Sequence, residues 1–376
     1  MSQFSQAEHQ WMANALQLAE KGRYTTSPNP NVGCVIVSAQ GELVGEGWHQ
    51  QAGGPHAEVF ALRQAGDNAK GATAYVTLEP CSHYGRTPPC AEGLIKAGIK
   101  RVVAAMQDPN PQVAGRGLQM LQDAGIDVQV GLLKSQAEAL NAGFIQRMTQ
   151  GRPLVTLKLA ASLDGKTAME NGHSQWITSE QARLDVQRER AKSCAILTGS
   201  GTVMIDDPML NVRLDANQLG IDTPVVRQPL RVIVDSRNQL TPEYRLFSLP
   251  GPILLANKSV SPHLYPKQVR QWHCQEKGKR VSLPALLTHL AESGVNNLWV
   301  EAGAALAGAL LEYKLVDTLM LYQAPKIMGD KAKGLALMPS LSHMQQAIAL
   351  RWQDIRQVGE DLRLTAQVVY PSSQTE

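Results

Sequence analysis

ATAYVTLEPCSHYGRTPPCAEGLIKAGIKRVVAAM, residues 72–106, decides the fold of the first half of this chain. Residues 72–78 read as a strand and 101–106 as another. Between them, 90–98 reads as a short helix that ends at Gly98. Prolines 80, 88 and 89 hold the intervening stretch out of regular structure, and a cysteine stands at each end of it, Cys81 and Cys90. Strand, helix, strand in that order predicts a layered α/β sheet. Upstream, 5–21 reads as a helix with Trp11, Ala15, Leu18 and Ala19 on one face. SPNPN (27–31) breaks the chain, VGCVIVS (32–38) and GELVGEGWH (41–49) form a hairpin, and a helix opens at His56. Downstream come a helix in 115–125, a strand in 126–131 and a longer helix over Ser135–Thr149.

Gly151-Arg152-Pro153 reads as a linker. With 376 residues the chain suits two domains, placed at 1–148 and 152–370. The second half alternates again: a strand from Leu154, then 194–199, 230–236, 251–257, 297–303 and 318–329, with helices near 179–192, 284–293 and 304–313. LTGSGTVMIDDPMLNVR (197–213) reads as a strand, a Gly-Ser-Gly-Thr loop and a charged cluster. QVGEDLRLTAQVVY (357–370) reads as a hairpin.

Hydrophobic residues make up 43% and charged residues 18%, as in soluble globular domains. The net charge of +3 offers no basic stripe for nucleic acid. Five cysteines do not make a disulfide framework. The start of the chain does not read as a signal peptide, and no run reaches the length of a membrane helix. A cytoplasmic location with no membrane partner is expected, as is a homo-oligomer.

Chemistry concentrates around His56. Zinc prefers nitrogen and thiolate sulfur in a tetrahedron, and a catalytic site keeps one position for water. His56, Cys81 and Cys90 supply one nitrogen and two sulfurs. Glu58, two residues after the ligand, is placed to take a proton from water and deliver it to ring nitrogen and leaving ammonia. Cys34, Cys194 and Cys274 lie in or beside strand-like runs and read as small apolar residues.

H-x-E followed by P-C and a second cysteine resembles the zinc nucleobase deaminases. Eight residues separate the cysteines here, where the general form has two. With PNPNVGCVIV, PHAEV and EPCSHYGRTPPC, the first half is similar to the deaminase half of the bifunctional riboflavin-biosynthesis deaminase/reductases. KLAASLDGKTA, SQWITS, GTVMIDDPMLNVR, VIVDS and VEAGAALAGALL follow in the order of that family's reductase half. The resemblance implies a cytidine-deaminase-like α/β/α layered domain followed by a dihydrofolate-reductase-like α/β domain. It implies zinc-dependent deamination of a phosphoribosylated diaminopyrimidinone, then NADPH-dependent reduction of the product's ribose to a ribityl chain. By the same resemblance, Asn29, His49, His83 and Arg86 meet substrate in the first half. In the second, Ser174, Arg190, Leu210, Arg213 and Glu301 fall at substrate positions. Ala160, Trp176, Thr202, Asp206 and Ser236 fall at cofactor positions, and Gly303, Ala304, Ala305, Leu306, Ala307, Gly308 and Ala309 at a phosphate-cradling segment.

Arg190 and Arg213 can grip a phosphate bidentately, Glu301 can accept from a pyrimidine amine or a ribose hydroxyl, and Trp176 can stack on a ring. Lys158, in an apolar strand, is either a proton donor to substrate or the ion-pair partner of Asp164; Asp164 itself fits a turn role. NADPH over NADH does not follow from the residues, although Ser236 and Arg237 suit a 2′-phosphate. Two rivals remain open. A tRNA-adenosine-deaminase type of enzyme explains His56 and Glu58 but neither the long cysteine spacing nor the second half. A non-catalytic nucleotide-binding protein has no use for Glu58.

Overall fold

Ser5 starts the first helix. Its hydroxyl accepts from the Glu8 N–H, and the Glu8 carboxylate accepts from the Ser5 N–H, a capping box. The computed structural model describes residues 4–84, 88–111, 113–274 and 278–371. Their contacts divide the chain into two units, Met1–Gly151 and Arg152–Glu376.

The first unit runs α1 (Gln6–Lys21), β1 (Gly33–Val37), β2 (Leu43–Trp48), α2 (Ala57–Ala65), β3 (Thr73–Val76), α3 (Cys90–Lys96), β4 (Arg101–Ala104), α4 (Arg116–Asp123), β5 (Asp127–Val130), α5 (Lys134–Leu140) and α6 (Ala142–Gln150). Its sheet has the order β2-β1-β3-β4-β5. β1 is antiparallel to β2 and β3, while β3, β4 and β5 are parallel. Alternate residues point to opposite faces. Val35, Val37, Tyr75 and Val103 pack with Met12, Ala15 and Leu16 of α1. Cys34, Ile36, Ala74, Val76 and Val102 pack with Ala57, Ala61, Leu94 and Leu121 of α2, α3 and α4. The result is a three-layer α/β/α sandwich.

α2 lies unusually close to β2. A Cβ at Gly47 would stand 2.5 Å from the Ala57 carbonyl oxygen, so only glycine admits the helix there. Gly47→Ala is expected to push the start of α2 off the sheet. Its cost, by analogy with overpacked cores, is about 1–3 kcal/mol. A thermal melt that matches wild type would show that the helix is free to shift.

The second unit runs β6 (Leu154–Ser162), β7 (Lys166–Ala168), α7 (Glu180–Lys192), β8 (Ala195–Gly199), α8 (Ser200–Asp206), α9 (Ala216–Leu219), β9 (Leu230–Val234), α10 (Arg245–Ser248), β10 (Ile253–Asn257), β11 (Val269–His273), α11 (Leu283–Glu292), β12 (Asn297–Glu301), α12 (Ala304–Glu312), β13 (Thr318–Ala324), β14 (Lys333–Gly334), β15 (Ala349–Val358) and β16 (Asp361–Val369). Nine strands form one sheet in the order β11-β10-β9-β8-β12-β6-β13-β16-β15. The seven from β11 to β13 are parallel, and β16 and β15 close the edge as an antiparallel hairpin. Its apolar strand residues, among them Val155, Leu157, Leu197, Val232 and Val300, pack with Leu286, Leu290 and Leu310 of α11 and α12.

The chain departs from its sequence reading at several points, and the strand expected over 318–329 ends at Ala324. The helix expected over Ser135–Thr149 is two helices. Asn141 breaks it by turning its amide onto Asn31, accepting from the Asn31 N–H at 2.8 Å and donating to the Asn31 carbonyl at 2.9 Å. The Gly-Ser-Gly-Thr stretch is not a loop but the first turn of α8. The last hairpin starts at Ala349, eight residues before the expected start at Gln357, because β15 is exposed along nearly its whole length and shows no burial alternation. β11 went unread for a similar reason: it is an edge strand with little burial. Among the described residues no helix is long and apolar enough to cross a membrane.

Candidate active sites

The first site is built at element ends. His56 is the N-cap residue of α2 and makes no capping bond with its side chain; its ring turns instead toward the cysteines. Cys81 lies beyond the end of β3, and Cys90 is the first residue of α3, after Pro88-Pro89. The Cys90 N–H donates to Cys81 Sγ at 3.3 Å, and the Ala91 N–H donates to the Cys81 carbonyl at 3.2 Å, which folds the two ligands together. His56 Nδ1 stands 3.6 Å from Cys81 Sγ and 3.3 Å from Cys90 Sγ. Around one tetrahedral zinc, nitrogen and sulfur ligands would stand about 3.5 Å apart. All three ligand atoms lie within 4.8 Å of one another, so the donor set fits zinc in number, type and spacing.

The Cys90 thiol and the His56 ring beside it pull the Cys81 thiol well below its usual value. The Cys81 contact, with burial, pushes Cys90 up, and the same Cys81 contact raises His56. Glu58 lies in the first turn of α2, only 3% exposed, and its Oε2 has no hydrogen-bond partner among the described residues. Burial raises its pKa to about 7. A buried acid with a free oxygen beside three metal ligands can hold and release a proton near neutral pH.

Asn29 and His49 adjoin this centre as one unit. His49 Nδ1 donates to the Pro55 carbonyl at 3.0 Å, which leaves Nε2 to accept from the Asn29 amide at 3.0 Å. Asn29 Oδ1 is then the atom turned to other donors. Burial lowers His49, and its ring meets His56 edge-on at 5.4 Å. His83 is exposed and lines a cavity of about 490 Å³ with Asn110, Val113 and Arg116. Arg86 lies outside the described residues. Cys34, Cys194 and Cys274 are buried. Burial and the nearby Glu58 push the Cys34 thiol well up, as befits an inert residue.

In the second unit the chain winds from β8 to β9 in one direction and from β12 past β6 to β13 in the other. The carboxyl ends of β8 and β12 therefore flank a switch point, the usual place for a ligand crevice in parallel sheets. α12 begins there. Thr202 lies beside Gly303, its N-cap residue, and Leu306 lies over Gly199. Thr198 Oγ1, Asp235 Oδ1 and Asn257 Oδ1, at the ends of β8, β9 and β10, are buried without a partner among the described residues. The α12 N-terminus offers main-chain donors that suit a phosphate, and the orphaned oxygens along the neighbouring strand ends suit hydroxyl or amide donors.

Not all of the expected cradle faces this crevice. Ala307 is fully buried in the core, and a Cβ at Gly308 would meet the Leu337 carbonyl at 1.9 Å, so that glycine serves chain packing. The Leu306 and Ala309 side chains pack against the core, so what remains to meet phosphate is the main chain of the first turn, Gly303–Leu306. Ala160 lies toward the end of β6, Asp206 closes α8 with its carboxyl raised by burial, and the Ser236 hydroxyl accepts from the Val281 N–H. Ser174 lies in the irregular stretch between β7 and α7. Trp176 is exposed, and the Arg183 guanidinium covers its ring at 4.5 Å.

The substrate positions need three corrections. Arg190 does not have a free fork for phosphate: Nε and one terminal nitrogen bind Glu301 at 2.6 and 2.9 Å, and the other donates to the Asn211 carbonyl. Glu301 Oε1 also accepts from Trp299 Nε1 at 2.8 Å. Burial would raise Glu301, but the Arg190 charge and bonds hold it at about 2. Arg213 is exposed beside this pair and lowered by burial and by Arg190. Leu210 is 2% exposed, its side chain packed with Trp299 and Tyr322 at φ +51°, so only its main chain is available to a ligand. The Lys158–Asp164 pairing does not form. Asp164 accepts from Ser162 and from the Met328 and Gly329 N–H groups, which hold it at about 2, whereas Lys158 stands in register with Glu301. Burial lowers Lys158.

Residues 5–106 match the cytidine and deoxycytidylate deaminase zinc-binding region, and 153–364 match the RibD C-terminal domain. The riboflavin biosynthesis protein RibD of Escherichia coli K12 is 55% identical, over 94% of this chain and 97% of its own. That of Haemophilus influenzae is 52% identical over 97% and 98%. The solved RibD of Acinetobacter baumannii superposes with a TM-score of 0.89 at 45% identity, covering 96% of this chain and 99% of its own. A diaminohydroxyphosphoribosylaminopyrimidine deaminase/5-amino-6-(5-phosphoribosylamino)uracil reductase from Thermotoga maritima superposes with a TM-score of 0.84 at 34% identity, over 96% and 98%.

Proposed function

The chain belongs to the RibD family, bifunctional deaminase/reductases of riboflavin biosynthesis, and from that premise we propose how its own residues divide the two reactions. The first unit hydrolyses the amino group of the phosphoribosylated diaminopyrimidinone; the second reduces the ribose of the product with NADPH. The observation that carries the reading is the buried Glu58 carboxyl, unpartnered at Oε2, beside His56, Cys81 and Cys90.

Zinc held by those three residues supplies the Lewis acidity that makes water a usable nucleophile near neutral pH. Glu58 takes the water proton as the C–O bond forms. It returns protons to the ring nitrogen and to the departing amine as the C–N bond breaks and ammonia leaves. Asn29 Oδ1, with its amide nitrogen committed to His49, accepts from the pyrimidine and fixes the ring. His83 and Arg86 are assigned to the substrate's phosphate or ring edge.

Gly303–Leu306 with Thr202, Asp206 and Ser236 would hold NADPH, which when bound would supply a hydride to C1 of the substrate's open-chain imine. Lys158 donates the proton that the imine nitrogen takes as C1 is reduced. Arg190 fixes the Glu301 carboxylate, which orients substrate hydroxyls, and Arg213 meets the phosphate. Ser174, Trp176, Ala160 and the Leu210 main chain complete the walls. A cytoplasmic homo-oligomer belongs to the same reading.

A two-stage assay tests it. Purified protein with the phosphoribosylated diaminopyrimidinone should release ammonia without NADPH and then oxidise NADPH when it is added, with about one zinc per chain. Cys90→Ala should lose the zinc and the ammonia signal together, while separately supplied deaminated product is still reduced. Ammonia release from a zinc-free Cys90→Ala protein would refute the metal assignment.

A further inference from the structure

Glu79 is a carboxylate 4% exposed, two residues before Cys81, and no base, cation or substrate role described above accounts for it. Among the described residues no cationic side chain bonds to it. It collects main-chain donors instead: Oε2 accepts from the Asp108 and Gly115 N–H groups, each at 3.0 Å, and Oε1 from those of Gly117 at 2.9 Å and Leu118 at 3.4 Å. Its own N–H donates to the Met106 carbonyl at 3.0 Å. Two of those donors belong to the first turn of α4, where a carboxylate also meets the helix dipole. The approach is close enough that a Cβ at Gly117 would stand 1.9 Å from the Pro80 carbonyl oxygen. Asn110, Val113 and Arg116, which belong to the same stretch of chain, line the 490 Å³ cavity together with His83. The Glu79 side chain thus joins that side of the cavity to the segment between β3 and Cys81.

We propose that Glu79 is a positioning residue of the deaminase: by tying Asp108, Gly115, Gly117 and Leu118 to the Cys81 end of β3, it sets the spacing of Arg116 and Asn110 from His83 and so the grip on the substrate's phosphoribosyl arm. The proposal rests on the deaminase reading above. Four N–H groups already satisfy the Glu79 carboxylate, so the Arg116 guanidinium of the cavity wall remains available to an anionic group. The effect passes to substrate binding through the wall, not through the metal or Glu58.

The test uses full-length Glu79→Gln and Glu79→Ala. Ammonia release is followed with the phosphoribosylated substrate and with its dephosphorylated counterpart. Zinc per chain and reduction of supplied deaminated product serve as folding controls. Glu79→Gln keeps the shape and one acceptor oxygen, and remains informative if the alanine variant fails to fold. The expected result is a KM for the phosphorylated substrate raised about tenfold, with kcat within about threefold of wild type and zinc unchanged. The preference for phosphorylated over dephosphorylated substrate should shrink by a similar factor. In an Arg116→Ala background, Glu79→Gln should add less than about twofold, since both act through one wall. An unchanged substrate preference, or a fall in kcat with loss of zinc at constant KM, overturns the proposal. A wild-type chain that deaminates neither compound overturns the deaminase reading and this proposal with it.

Discussion

Glu58→Gln is expected to retain its zinc and lose deaminase turnover by about 10²–10⁴-fold, the usual worth of a positioned acid–base group. The substitution preserves the volume of a side chain that is 3% exposed and removes its titration, so the packing of α2 on the sheet should survive. His56, Cys81 and Cys90 remain, and with them the metal. Reduction of supplied product in the second unit should be unchanged. Ammonia release at the wild-type rate with zinc bound would show that another group moves the protons. Loss of zinc would instead make Glu58 part of the metal's support.

The second large effect belongs to Glu301. Its carboxylate and the Arg190 guanidinium are 15% and 9% exposed and joined by two bonds, with Lys158 in register beside them. Glu301→Ala leaves Arg190 and Lys158 as uncompensated cations, a change that typically costs about 3–5 kcal/mol. Reductase activity should vanish, and the second unit should unfold at lower urea concentration. The pair also predicts a pH dependence. The Glu301 pKa falls from 4.5 to about 2 on folding, so between those values the unfolded chain binds more protons and stability rises with pH. The contribution, on the order of 3 kcal/mol, is present above pH 4.5 and is lost as pH falls toward 2. Urea unfolding of wild type against Glu301→Gln across that range should show the difference closing. A difference constant with pH would mean that the ion pair has no part in it.

The meeting of His56, Cys81 and Cys90 beside the buried Glu58 was legible because ligand chemistry needs particular residue types at element ends. His56 before a helix, Glu58 in its first turn and Cys90 after two prolines announce themselves locally. The parallel strands were legible as apolar runs. Less so were features made by distant partners. Nothing near Asn141 points to Asn31, 110 positions away, yet that contact divides a helix. Arg190 and Glu301, both read as free for ligand, are 111 positions apart and hold each other. Glu79 reads as an ordinary strand-end acid until the N–H groups of Asp108 to Leu118 are brought to it. β15 hid for the opposite reason, having too little burial to imprint a pattern.

The three metal ligands hang from the ends of β3, α2 and α3, whose apolar faces are closed by Ala57, Ala61, Val76, Ala91 and Leu94 without help from any ion. Zinc is therefore expected to sit here as a guest rather than a keystone. The ordering of its ligands is completed when the sheet folds, so capture of the ion carries little further loss of chain freedom. A chelated sample should melt only slightly below the loaded one and regain activity within the time of mixing, in contrast to small zinc domains that unfold when the metal is withdrawn.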